Sequence, residues 1–252
     1  NAQHGTLEKI ATGLKINQAA DDASNLVISD ALQSRRSDLA QSLQNLNQGI
    51  SLTRIASDGL ESQKEILGDV REKLLQANTD TTSNDGKESI KQEVLKLVDQ
   101  FKNISETTKF GDQSLIKPDG TNATIDISTA DETLSIEIPN TQSVANELSS
   151  LIQGTDFKNG DIASIIERVD LATNQLDSTI GDFGSAENQL ESSARNSIAE
   201  QVNIARANSS LTDIDFGKEI GDFSKTNITA QVGYLVSTQA NAVQEQNVRL
   251  LA

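Results

Sequence analysis

Residues 39–77 read LAQSLQNLNQGISLTRIASDGLESQKEILGDVREKLLQA, and within them Leu39, Leu46, Thr53, Leu60, Leu67 and Leu74 recur at seven-residue steps. Leu43 and Ile50 are interleaved near the start. A sustained heptad predicts a long helix with a coiled-coil-like seam. No proline interrupts it, and Gly49, Gly59 and Gly68 each lower helix propensity only a little. At 1.5 Å per residue such a helix spans roughly 60 Å.

Outward from this helix the pattern changes and then returns. Asn78 to Gly86 (NTDTTSNDG) is a polar turn whose side chains bond their own backbone. A second helix is predicted over 87–106, with Ile90, Val94, Leu97, Phe101 and Ile104 as its stripe, giving an antiparallel helical hairpin. Pro118-Asp119-Gly120 is a turn signal. Apolar and polar residues then alternate with period two in Thr124–Ser128 and Leu134–Ile138, which predicts a β-hairpin over about 124–138. Gln142 to Asp161 reads as irregular, with a helical turn near Val144 to Leu151. From Ile162 the heptads resume through Ile166, Val169, Leu176, Ile180, Phe183 and Leu190, predicting a helix over 162–211. Beyond Leu190 the stripe continues as Ala194, Ile198, Val202 and Ala205, the steps of a coiled-coil stutter.

The two ends repeat the theme. Ile10, Leu14 and Ile16 lead into Asp21-Asp22, residues suited to capping a helix start. After the break Leu211–Gly217, a terminal helix carries Ile228, Val232, Leu235, Gln239 and Val243 along one stripe, continuing to Val248, Leu250 and Leu251. Chain ends usually fray in solvent. Ends that carry their own apolar stripes are built to be buried by other molecules, which favours assembly over catalysis.

Composition narrows the field. Only 3% of the 252 residues are aromatic and 35% are hydrophobic, so thin helix-on-helix seams suit the chain better than a broad core. Two prolines permit long helices. A net charge of −16 is wrong for nucleic acid or anionic lipid, since phosphate binding rests on Lys and Arg. No apolar run approaches the roughly 20 residues of a membrane span. With no cysteine, disulfides and thiolate chemistry are excluded.

The residues offer no catalytic, cofactor-binding or metal constellation. His4 is the one histidine, in a polar stretch near a chain end. Asp21-Asp22 and Asp213/Asp215 fit helix capping better than cation binding and match no EF-hand loop. Gly181-Asp182-Phe183-Gly184 lies within a heptad helix and lacks the other kinase elements. There is no P-loop, no nucleophile elbow and no dinucleotide fingerprint.

Several segments nevertheless form a recognisable set. Leu7 to Asn17 (LEKIATGLKIN), Ala20-Asp21-Asp22-Ala23, Ile28-Ser29, Asn47–Ile50 and Glu106–Gly111 resemble the N-terminal half of bacterial flagellins. Asn188–Ala194, Leu211–Asp215, Gln239–Ala242 and Gln246–Val248 resemble the C-terminal half. The resemblance runs in order along the whole chain.

It implies a mostly α fold: a long coiled-coil-like antiparallel bundle, the flagellin D1 rod, with a small β-hairpin insert and terminal D0 helices. Carried onto this sequence, 1–38 is the remnant of the N-terminal D0 helix plus a connector, 39–216 is D1, and 217–252 is the C-terminal D0 helix. The stripe Ile228, Val232, Leu235 and Val243 then belongs to the D0 inner tube. About twenty residues of the family's N-terminal D0 helix have no counterpart here, and a polypeptide without them is expected to polymerise poorly. The short path from hairpin to Ile162 implies a minimal subunit without outer domains.

The function implied is that of a structural subunit, not an enzyme, which self-assembles into the flagellar filament for motility. Its partners are then copies of itself, the flagellar cap, hook-associated proteins and an export chaperone. Its place is extracellular, reached through the flagellar type III system. The family resemblance also implies a patch facing Toll-like receptor 5 at Leu67, Asp69, Arg71, Lys73 and Glu93. There Asp69 stands in place of an Arg and Lys73 in place of a Leu, so weak receptor activation is expected. A hook–filament junction protein and a secreted flagellin-like effector are the alternatives.

Overall fold

The computed structural model describes residues 2–116 and 123–251. The elements are α1 (Ala2–Thr12), α2 (Ala19–Ala77), α3 (Asn84–Thr107), β1 (Lys109–Phe110), β2 (Gln113–Ser114), β3 (Ala123–Ser128), β4 (Thr133–Ile138), α4 (Thr141–Gly154), α5 (Ile162–Thr212) and α6 (Phe216–Leu251). The fold is mostly α, with two antiparallel hairpins, β1–β2 and β3–β4, among the described residues. The expected turn at Pro118-Asp119-Gly120 lies outside the described residues, as do the side chains of Val248, Leu250 and Leu251. The chain divides into two compact units, residues 39–198 and residues 1–38 with 199–252. Residues 199–216 thus group with the terminal segments.

In the 39–198 unit, α2 buries two interleaved rows. Leu39, Leu46, Thr53, Leu60, Leu67 and Leu74 form one row, and Ser42, Gly49, Ala56, Gln63, Val70 and Ala77 form the other. Spacings of three and four alternate without a break, a complete heptad seam. The large row fills the core, each buried Leu being worth about 1.5–3 kcal/mol. The small row lets neighbours approach closely. A Cβ on Gly49 would collide with the Ile127 side chain, and one on Gly59, beside the seam, would lie 2.8 Å from Thr108 and 3.0 Å from Ile116.

Around α2 pack Val94, Val98 and Phe101 of α3, Leu148 and Ile152 of α4, and Ile165, Val169, Leu176, Phe183 and Leu190 of α5, in one contiguous core. The β3–β4 hairpin pairs Ile125 with Ile136 and Ile127 with Leu134. Ile125, Ile127, Ile136 and Ile138 face the core while the alternate Asp, Ser and Glu residues face outward. Asn45 Nδ2 donates to the Ser128 carbonyl at 2.9 Å, tying the hairpin end to α2.

Four departures from the sequence reading have clear causes. First, α2 starts about twenty residues before the heptads do. Asp22 has extended backbone, and its Oδ1 accepts from the Asn25 N–H at 3.0 Å, capping the helix there. Second, 141–154 is a full helix. Asn140 Oδ1 caps its start through Ser143 N–H at 3.1 Å. Lys91 Nζ donates to the carbonyls of Gln153 and Thr155 at its end, and lies 5.6 Å from the centre of the Phe157 ring. Third, beyond Ala194 the late stripe of α5 points the other way. Ala194, Ser197 and Ile204 are buried, whereas Ile198 and Val202 are 48% and 44% exposed, and Ala205 is exposed as well. The face turned inward here is set by α5's antiparallel partner α2, whose Ser29 Oγ donates to Asn208 at 2.7 Å and whose Arg35 pairs with Glu200 at 2.9 Å. Fourth, β1–β2 forms a tight hairpin after α3, with strands of two residues, too short to show an alternation; Gly111 at its tip has φ 60°.

Candidate assembly surfaces

The two most recognisable sequence segments, at Leu7–Asn17 and Leu211–Asp215, meet in space. Both leave the helical conformation at the same point, and Leu14 and Asp213 form an antiparallel β-bridge. The Lys15 N–H donates to the Thr212 carbonyl, and the Ile214 N–H donates to Gly13 at 3.2 Å. Gly13 has φ 72°, a left-handed conformation that reverses the chain out of α1. Carboxylates complete the joint. Asp21 Oδ2 accepts from the N–H groups of Asn17 and Gln18 at 3.0 and 3.1 Å, and Asp215 Oδ1 accepts from Lys218 N–H at 3.1 Å. Hydrogen bonding from Asn17 holds the Asp21 carboxyl below its ordinary value, and that from Asn25 does the same for Asp22. Asp21, Asp22 and Asp215 are therefore caps and turn-holders, while the Asp213 carboxylate accepts from the Ser209 hydroxyl. The conspicuous residues are those two reversing backbones require.

Beyond the joint, α1 packs against α6. Further along α6, Ile228, Val232, Leu235 and Val243 are 61%, 50%, 64% and 49% exposed, with Tyr234 and Val236 exposed beside them. No charged residue occurs from Thr226 to Gln244. A helix face this apolar and this free of charge is a surface awaiting a partner. No described helix is long and apolar enough to cross a membrane.

The five residues expected to face a receptor are split. Leu67 is wholly buried in the α2 heptad row, so it belongs to the core and is removed from any contact surface. Its seven-residue spacing already marked it as a seam residue, and a heptad position cannot face both ways. Asp69 is exposed. Arg71 Nε pairs with Asp170 of α5 at 2.6 Å. Lys73 Nζ pairs with Glu93 of α3 at 2.7 Å, so hydrogen bonding raises the Lys73 pKa and lowers that of Glu93. These pairs bridge α2 to its neighbours, as do Lys64–Asp177 at 2.5 Å and Arg54 with Glu187 and Glu191 at 2.6 and 3.2 Å. On α2 every member of these pairs is a cation. All are at least partly exposed to solvent, so they set register more than they add stability.

The sequence reading missed one buried polar cluster. Gln63 Nε2 contacts the Phe101 carbonyl at 3.0 Å, Ser105 Oγ at 2.7 Å and Thr141 Oγ1 at 3.2 Å, and the two hydroxyls lie 2.8 Å apart. It ties α2, α3 and the start of α4 at one level. A polar residue at a heptad position was its one signal. His4 is exposed on α1, and Phe183 of the Gly181–Gly184 segment is a core residue. Among the described residues no three His, Cys, Asp or Glu side chains gather as a metal site would require.

Comparison with known proteins matches this architecture. The family described as bacterial flagellin N-terminal helical region matches residues 1–122, and the bacterial flagellin C-terminal helical region matches residues 166–251. The flagellin of Halalkalibacterium halodurans is 28% identical over 255 residues, spanning 100% of this chain and 92% of that protein. Flagellin A of Helicobacter mustelae is 35% identical over 139 residues, 55% of this chain. The chain spans 28% of the length of that protein and 24% of flagellin A of Helicobacter pylori. Among solved structures, Bacillus cereus flagellin has a TM-score of 0.51 at 21% identity, covering 61% of this chain and 88% of that one. Bacillus cereus FlgL has a TM-score of 0.56 at 14% identity, covering 71% of this chain and 99% of that one. At such identities the solved structures speak for the fold alone. The two sequence regions, with the joint that unites them, decide the family: the chain belongs to the bacterial flagellins.

Proposed function

We propose that this protein is a structural subunit of the bacterial flagellar filament, self-assembling into a helical polymer that serves motility. The observation that carries this reading is the match to the flagellin N- and C-terminal helical regions, whose signatures meet at Leu14 and Asp213; the uncharged apolar face of α6 is one that such a subunit would bury. Burial of such a face against copies of the same chain gives a heterologous contact, and heterologous contacts that do not close generate filaments. The family is a structural one, which agrees with a chain built of seams and caps. The filament lies outside the cell, reached through the flagellar type III system. The cap, hook-associated proteins and an export chaperone are its further partners.

The test is electron microscopy of the protein as its source cells make it. Long filaments from the purified protein support the proposal, and a protein that stays monomeric or stops at short assemblies defeats it. The second outcome would favour a junction protein. Extracellular monomer absent from filaments would favour a secreted effector.

The receptor-facing patch reduces to Asp69, Arg71, Lys73 and Glu93. With Arg71 and Glu93 engaged within the subunit and an acid at 69, weak activation of Toll-like receptor 5 is expected. A reporter-cell assay in which the unaltered protein activates fully would refute this; Asp69→Arg with Lys73→Leu should raise potency.

A further inference from the structure

Strand β4 pairs with β3 along one edge and with no described strand along the other. In a two-stranded sheet, alternate N–H and C=O groups of that second edge point away from the partner strand. Here they face a groove of about 510 Å³ whose opposite wall is α5, with Gln175, Thr179, Asp182 and Gln189 on one helical face. The floor includes Ile136 and Phe183. The ionisable residues lining it are Glu137 and Asp182, both acidic. A free strand edge facing a helix across a groove is the geometry that accepts an added extended segment.

The same unit displays a segment of matching chemistry. In the β1–β2 hairpin Lys109 and Phe110 are both exposed, Phe110 by 38%, whereas Phe101, Phe157 and Phe183 are buried. The hairpin is held rigidly. Leu115 N–H donates to the Thr108 carbonyl at 3.1 Å, Thr108 Oγ1 donates to Ile104 at 2.8 Å, and Leu115 and Ile116 are fully buried. A preorganised aromatic beside a cation is an anchor with little ordering cost.

We propose that the Lys109–Phe110 strand of one copy docks in the β4–α5 groove of a second copy. Phe110 rests on the apolar floor and Lys109 meets the acidic rim. The levels agree: Thr108 and Ile116 lie beside Gly59 of α2, and Lys64–Asp177 and Arg54–Glu187 set the groove's α5 wall opposite residues 54–64 of α2. Side-by-side copies pointing the same way can therefore make this contact, and because hairpin and groove are different surfaces, it repeats without closing. This inference rests on the self-assembly proposed above.

The absence of cysteine makes the test clean. Asp112→Cys and Thr179→Cys chains, produced as the natural protein, are mixed and oxidised, with Ser89→Cys replacing Thr179→Cys as control. A 112–179 crosslinked dimer well above the control is expected. Filaments without that crosslink overturn the groove contact and leave assembly standing. A crosslink without filaments supports the contact and defeats the filament reading, and absence of both overturns both. As a second measurement, Lys109→Glu and Asp182→Lys should each raise the protein concentration needed for assembly about fivefold. The double variant should return to within about twofold of the parent; a double variant as impaired as either single one, or more so, overturns the pairing.

Discussion

The Gln63 cluster separates packing from hydrogen bonding inside the 39–198 unit. Replacing Gln63 with Ala removes every atom beyond Cβ from a fully buried site, together with the contacts of Nε2 to Phe101 and Ser105. A cavity of this kind with lost hydrogen bonds costs about 3 kcal/mol. For a unit of this size that lowers the melting temperature by roughly 6–12 °C. Gln63→Leu keeps the volume. The Ser105 and Thr141 hydroxyls, 2.8 Å apart, continue to satisfy each other, and the buried Gln63 Oε1, which meets no donor among the described residues, is removed. The Leu variant should therefore stay within about 1 kcal/mol of the parent. The assay is thermal unfolding by circular dichroism with denaturant titration on the same samples. A Leu variant that melts as low as the Ala variant would refute the reasoning, because it would place the stability in the hydrogen bonds.

Three further outcomes follow from particular contacts. Gly13→Ala puts a Cβ on a residue at φ 72°, costing about 1–2 kcal/mol, and should speed hydrogen exchange at Lys15 and Ile214; unchanged exchange there argues against a joint at that point. The carboxyls of Asp21, Asp22, Glu93, Glu147 and Asp156 all lie below their ordinary values, held there chiefly by hydrogen bonds from Asn17, Asn25, Lys73, Arg168 and Lys158 respectively. Groups with depressed folded-state values stabilise the fold above the ordinary carboxylate range and lose that contribution as pH falls through the folded values, so melting temperature should drop on acidification below that range, and a rise would contradict the assignment. Ile198→Ser with Val202→Ser alters a half-exposed face, so monomer stability should fall by only about 2 kcal/mol while assembly weakens; a loss of about 4 kcal/mol or more would return those residues to the core.

Much of the architecture was legible in the chain. The leucine row of α2, the return of heptads in α5 and the alternation of β3 and β4 each follow from spacing alone, because large apolar residues at a fixed period leave one energetically acceptable face. The terminal signatures named the family for a related reason, since a left-handed Gly13 and capping aspartates are demanded by local backbone geometry. Three things were decided by tertiary contact. Gly49 and Gln63 have no apolar side chain to announce them, and they are buried because Ile127, Phe101 and Thr141 come to meet them. Helix α4 exists because Asn140 and Lys91 cap it from either end. Ile198 and Val202 look like core but face outward, because α5 turns its other side to α2 near Asn208 and Glu200. Sequence fixes which residues need burial; what stands opposite in three dimensions determines which of them obtain it.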